Sequence, residues 1–176
     1  MAPPNAPRGH PVTSDSIAPV ATPFETPFDT PDTAVDIALY HDIQQFYVRQ
    51  MHAGDGGDFT AWAASFTEDA VFVSNGLPAP VAGRAAIDAA TRAGAAARAE
   101  RGATHRHVVT MLDVRPKGEH RAEARSYVLV VEAIRGGATT VHVSTVCEDR
   151  LVLREGRWLV EERRVTRDDR PKRTSA

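Results

Sequence analysis

The chain has 176 residues, with 21 Lys and Arg against 23 Asp and Glu and a net charge of −2, which offers no electrostatic footprint for nucleic acid. No apolar run approaches the ~20 residues of a membrane span, and no charged-then-apolar signal peptide opens the chain. One cysteine, Cys147, rules out a disulfide within the chain, so a soluble, cytoplasmic protein acting on neither membrane nor nucleic acid is expected.

Eight of the twelve prolines fall at or before Pro31. Residues 1–32 also lack hydrophobic periodicity and read as a disordered or extended Pro-rich segment. A single domain is expected over 33–168, long enough to bury one core, with 169–176 as a flexible tail. The first helix begins near Thr33, where Thr33 and Asp36 resemble a capping box. Leu39, Ile43, Phe46 and Tyr47 recur at helical spacing, and the glycines from Gly54 onward stop the helix. Asp58 caps a short second helix with a stripe of Phe59, Trp62 and Phe66. Ala70–Ser74 reads as a short strand, broken by Pro78 and Pro80. Gly83 then leads into an alanine-rich third helix, Arg84 to about Ala99, ended by Gly102.

The remainder is β. Strands are expected at His105–Arg115, Arg121–Ile134, Thr139–Leu153 and Arg157–Thr166. Lys117-Gly118, Gly136-Gly137 and Glu155-Gly156 mark short turns, so these strands are antiparallel neighbours. The expected fold is α+β, a curved antiparallel sheet wrapped around the N-terminal helices. Such a cone-shaped barrel leaves an interior pocket.

Period-two alternation sorts the candidate pocket residues. His105, His107, Val109 and Met111 share one face of the first long strand. Tyr127, Leu129 and Val131 share one on the second, and Val141, Val143, Thr145 and Cys147 one on the third. Register between strands is left open. A titratable ring in a half-buried strand is costly unless paired or used, which singles out His107. His105 reads as a rim or outer residue.

Several stretches together resemble a known family. They are Asp55–Phe72, Val81–Ile87, Arg106–Val109, Arg125–Tyr127, Glu148–Val152 and the final hairpin from Gly156 to Val165. Their order and spacing are similar to the SnoaL-like group, within the superfamily named after nuclear transport factor two. Scytalone dehydratase and the polyketide cyclases are the nearest enzyme analogies, with ketosteroid isomerase more distant. The resemblance covers about Thr33 to Asp168. It implies an acid–base pair of Asp55 and His107. It sets Tyr127 at the place of a second dehydratase histidine, and Thr145 and Cys147 at small polar positions of the pocket. Gly54 stands where the dehydratase has a tyrosine, and Ser74 near the place of another, so the substrate differs.

A histidine with a carboxylate on its other ring nitrogen has a fixed tautomer and greater basicity. Such a pair can take a proton from carbon beside a carbonyl or return one to a departing hydroxyl. Tyr127 could hydrogen-bond a developing enolate oxygen. Trp62, Val109, Leu129, Val143, Thr145 and Cys147 are the candidate substrate-binding wall. Asp55 reads equally as a helix cap, Trp62 and Tyr127 as core, and Cys147 as a small buried hydrophobe.

The leading expectation is a dehydratase or cyclase for a polyketide-like small molecule of bacterial secondary metabolism, with no cofactor and no metal. A two-histidine metal site at His105 and His107 lacks an evident third ligand. The runner-up is a non-catalytic binding or scaffold subunit resembling the β subunit of ring-hydroxylating dioxygenases. A ketosteroid-isomerase-like isomerase is a further alternative. A homodimer or homotrimer is expected in each case.

Overall fold

The structure, a computed structural model, describes residues 35–171. Thr33 and the expected Pro-rich segment lie outside them. Helix α1 spans Ile37–Gly56, α2 Phe59–Ala64 and α3 Arg84–Glu100. The strands are β1 Phe66–Ser74, β2 Val81–Ala82, β3 Ala103–Pro116, β4 Arg121–Ile134, β5 Thr139–Arg154 and β6 Arg157–Arg167. They form one sheet in the order β2-β1-β6-β5-β4-β3. Every pairing is antiparallel except β1 with β6. This is the expected cone-shaped α+β fold. Among the described residues no helix is long and apolar enough to cross a membrane.

Local chemistry sets the helix ends. Asp36 caps α1 by accepting from the Ala38 N–H at 3.0 Å. The helix runs two residues past Gly54 and ends at Gly57, whose φ of 86° closes the left-handed cap. Asp55 therefore lies in the last turn of α1 and caps nothing; Asp58 caps α2 by accepting from Ala61 N–H at 2.9 Å. Gly54 is a packing requirement, since a Cβ there would stand 2.9 Å from the Trp62 indole.

The four long strands match expectation to within one or two residues at each end, and β1 starts earlier, at Phe66. Near the far end, Asn75 Nδ2 donates to the carbonyls of Arg167, Arg170 and Pro171. The chain is thus held beyond the Asp168 boundary expected from sequence, as far as Pro171.

The inward face of the sheet has a filled end and a hollow end. At the filled end, Phe46, Tyr47 and Ile43 of α1 pack with Phe66, Val114, Ala122, Ala124, Leu151 and Val160. Ala122 and Ala124 keep the sheet wall thin, so the α1 aromatics fit close. Register irregularities interrupt the alternation at four places: Phe66/Val71, Thr110/Asp113, Val130/Val131 and Arg150/Leu151. Two correct the expected faces. Met111, at φ 52°, turns out to 71% exposure, and Val141, beyond the extra residue His142, is also exposed.

A buried polar network marks the boundary between the two ends. Arg163 on β6 is bidentate on Asp149 of β5, with Nε at 2.9 Å from Oδ1 and Nη2 at 2.6 Å from Oδ2. Tyr47 O–H donates to Asp149 at 2.7 Å, and Arg163 Nη2 also donates to Gln50 Oε1 at 2.8 Å. Gln50 reaches Ser65, whose hydroxyl donates to the Trp62 carbonyl. Burial works against the Arg163 charge, but the Asp149 carboxylate more than offsets it and keeps the guanidinium protonated. Burial first, then the Asp149 charge, pushes the Tyr47 hydroxyl and the Cys147 thiol well above their usual ranges.

Removing one partner of this pair leaves a buried charge unmatched. Asp149→Ala should lower the unfolding free energy by about 3–5 kcal/mol, read by urea denaturation. A loss below about 1 kcal/mol, the scale of an exposed ion pair, would contradict the network's role.

Candidate functional site

At the hollow end lies a cavity of about 530 Å³, within the size range of small-molecule sites. Its walls come from every layer. The last turn of α1 gives Gly54 and Asp55; α2 gives Phe59 and Trp62. The strands give His105 and His107 from β3, Val128 and Val130 from β4, Cys147 from β5, and Arg163 and Val165 from β6. The α3 face is mostly small, with Ala90, Gly94, Ala95 and Ala99 beside Arg98. The small residues leave room that larger side chains would fill.

Asp55 and His107 meet on this wall. Asp55 Oδ1 lies 2.6 Å from His107 Nδ1, and Oδ2 accepts from the His107 backbone N–H at 2.8 Å. A carboxylate in the last turn of a helix opposes the macrodipole, so this one needs outside donors. His107 supplies two, and the Arg106 guanidinium donates to the Asp55 carbonyl at 3.1 Å. Burial pushes the Asp55 carboxyl up, but the two hydrogen bonds from His107, with its charge and that of Arg106, outweigh burial and hold it below the usual range. Asp55 is therefore ionised at neutral pH and can only accept. The proton between them must sit on Nδ1, which leaves Nε2 of the neutral ring with a free lone pair and no partner among the described residues. The His107 side chain is 35% exposed and Asp55 9%. The geometry is that of a base aimed by an acid behind it.

A second imidazole–carboxylate pair lies two residues away. His105, expected at the rim or outside, points inward and lines the cavity. Its Nε2 is 2.8 Å from Glu132 Oε2, directly across on β4. Glu132 also accepts from Arg101 at 3.0 Å. Desolvation is the main reason the His105 ring stays below its usual pKa, while the hydrogen bond from His105 holds Glu132 ionised. Sequence reasoning missed Glu132 because cross-strand register is needed to see it opposite His105.

Among the described residues, His105, Glu132 and His142 alone place three potential metal-ligand atoms within 4.8 Å of one another. Glu132 is already held by His105 and Arg101, and the Arg101 charge opposes a cation there. His105, Glu132 and Arg101 form a hydrogen-bonded cluster, with the His142 ring 5.2 Å from that of His105.

The other expected site residues divide by strand face. Trp62 and Cys147 line the cavity. Val109, Val143 and Thr145 lie on the inward faces but do not border it, and Thr145 spends its hydroxyl on the Val128 carbonyl at 3.1 Å. Tyr127 and Leu129 are corrected. On β4 the buried residues are Ala122, Ala124, Ser126, Val128 and Glu132, so Tyr127 and Leu129 fall on the opposite, outward face, and Tyr127 is 46% exposed. Arg163 was missed as a wall residue. Two of its nitrogens are bound as described, and Nη1 has no partner among the described residues, so one donor is left at the cavity wall.

The architecture is an α+β cone with an imidazole–carboxylate pair on the wall of its cavity. The chain belongs to the SnoaL-like domain family, whose sequence profile matches residues 35–164. No curated protein matches it. Aln2 from a Streptomyces species is 34% identical with a TM-score of 0.71, over 76% of this chain and 94% of that one. A Catenulispora acidiphila protein solved in complex with S-DNPA is 35% identical with a TM-score of 0.66, over 76% of this chain and 96% of that one. A Novosphingobium aromaticivorans NTF2-like protein with a cystatin-like fold, 23% identical over 74% of this chain and 82% of that one with a TM-score of 0.64, shares the fold.

The depressed Asp55 carboxyl contributes stability that is fully present above the ordinary carboxylate pKa near 4. That contribution disappears as pH falls through the lower folded value. Asp55→Asn should flatten the acid limb of stability against pH, read by urea denaturation between pH 2 and 6. An unchanged acid limb would mean the His107 contacts do not hold Asp55 ionised.

Proposed function

We propose that the chain is a cofactor-independent acid–base enzyme, a dehydratase or cyclase acting on a polyketide-like small molecule, with His107 as the proton-moving group. The single observation that carries this reading is the Asp55–His107 geometry on the wall of an open cavity. Nε2 takes a proton from carbon beside a carbonyl, or from an attacking hydroxyl, and Asp55 stabilises the imidazolium that results. Returning that proton to a departing hydroxyl completes a dehydration; returning it to carbon completes a ring closure onto an enone. Arg163 Nη1 replaces Tyr127 as the donor to a developing enolate oxygen. Trp62, Phe59 and Phe72 offer flat apolar surface to an aromatic substrate.

Two observations favour this over a scaffold subunit or a ketosteroid-like isomerase. A scaffold would be expected to fill its cone with side chains, whereas about 530 Å³ stays open. The flat aromatic walls of Phe59, Trp62 and Phe72 favour an aromatic ligand over a steroid. A cytoplasmic location fits the single buried thiol, Cys147. The outer face of the sheet presents Val108 at 45%, Tyr127 at 46% and Val141 at 61% exposure. That strip supports self-association as a dimer or trimer.

A panel of β-hydroxyketones and hydroxy-enones, followed by absorbance for dehydration or ring closure, tests the reading. His107→Ala should keep its circular dichroism and lose at least about 100-fold in turnover. Full activity in that variant would sink the proposal. Tyr127→Phe, in the same assay, should stay within about twofold of the parent because its hydroxyl lies on the outer face. Light scattering on the purified chain checks the oligomer, and a monomer at 100 µM would remove the outer strip from the argument.

A further inference from the structure

One charged side chain on the cavity wall has no part in the chemistry described above. Arg98 lies in the last turn of α3 and lines the cavity. A basic residue at a helix C-terminus is ordinarily a solvated partner for the dipole. Arg98 is instead half-buried and folded back along its own helix. A Cβ on Gly94, one turn earlier, would sit 3.4 Å from Arg98 Nη1. Gly94 itself is a cavity residue. A glycine inside a helix costs about 1 kcal/mol relative to alanine, and α3 is otherwise built mainly from alanine. The missing methyl leaves the guanidinium room against the wall. The Arg98 charge is also felt at His105, where it opposes protonation of the ring.

The charges around Arg98 make it unusual. Asp55, the carboxylate on the cavity wall, has both oxygens engaged by His107. Asp149 is committed to Arg163, and Glu132 to His105 and Arg101. Glu100, the next acid along α3, is exposed, and His142, whose ring stacks 5.2 Å from that of His105, adds no negative charge. Among the described residues Arg98 has no carboxylate partner and no hydrogen-bond acceptor. An unpaired guanidinium facing an apolar cavity is a ready site for a ligand anion, because a planar fork of N–H donors matches a carboxylate and the surroundings screen it poorly.

We propose that Arg98 anchors a carboxylate carried by an aromatic ligand of this cavity. The assignment rests on the same cavity being the reaction site, and it names the substrate class: an aromatic acid, not a neutral aromatic ketone. The charge sits near His105, and His107 is two residues further along the same strand. At ~3.3 Å per residue the backbone of His107 lies roughly 7 Å along β3 from that of His105. A carboxylate held by Arg98 therefore belongs on a side-arm of the ligand, apart from the carbon that loses or gains a proton.

The full chain is titrated with 2-naphthylacetate and with its methyl ester, a neutral analogue of similar shape, followed by tryptophan fluorescence and by calorimetry. The parent should bind the acid at least ~10-fold more tightly than the ester. Raising the salt from 50 to 500 mM should weaken the acid and leave the ester unchanged. Arg98→Gln should bring the two affinities together by weakening the acid alone, and Arg98→Lys should keep part of the preference. His107→Ala should keep the preference, which separates this proposal from the catalytic one, since that variant loses turnover and not the anchor. Equal affinity for acid and ester in the parent overturns the proposal. So does a preference that survives in Arg98→Gln, or an acid that does not bind at 5 mM.

Discussion

The site depends on one carboxylate that accepts twice from one residue. Asp55 takes the backbone N–H and the ring N–H of His107. The first bond ties the end of α1 to the open half of β3. The second fixes which nitrogen of the imidazole holds the proton. A single acid therefore sets both the packing of helix on strand and the chemical state of the ring. It does so from the unfavourable end of a helix dipole, where an isolated aspartate would lower helix stability. Local cost at a site with a defined chemical outcome is the pattern expected where structure serves reaction more than folding.

The rest of the molecule keeps that pair beside empty space. One sheet face serves two purposes, and the change comes midway along the strands. Toward Val114, Ala122 and Leu151 the α1 aromatics fill the interior. Toward His105, Val130 and Cys147 the α3 face is mostly alanine and glycine beside Arg98, and the interior stays open. The Arg163–Asp149–Tyr47 network lies at the join. It satisfies buried polar groups from α1, β5 and β6, and its link through Gln50 and Ser65 reaches the backbone of Trp62. The aromatic wall of the cavity is thus tied to the most buried charges among the described residues, Asp149 and Arg163.

Much of this was legible from the residues. Glycine-bearing turns set the long strands, Asp58 marked its own helix, and the spacing of His105 and His107 placed them on one face. The resemblance paired Asp55 with His107, and the two side chains meet at 2.6 Å. What could not be read was parity. A single extra residue at a bulge moves everything beyond it to the opposite face, and nothing local in Met111 or Val141 announces that. Tyr127 was misassigned for the related reason that β4 alternates between two plausible apolar sets, Val128/Val130 and Leu129/Val131. Only the packing of Ala122 and Ala124 under α1 decides between them. Glu132 and Arg163 escaped because each acquires its meaning from a partner on another strand.

The alanine-rich face of α3 separates two properties that many pockets entangle. The proposed proton-moving pair stands on α1 and β3, whereas the volume available to a ligand is set largely by Ala90, Gly94, Ala95 and Ala99 on α3. Exchanging a methyl for a larger group on that helix narrows the chamber without disturbing the imidazole or its acid. Changes on one helix can thus alter the size of molecule the chamber admits while the imidazole and its carboxylate keep their places.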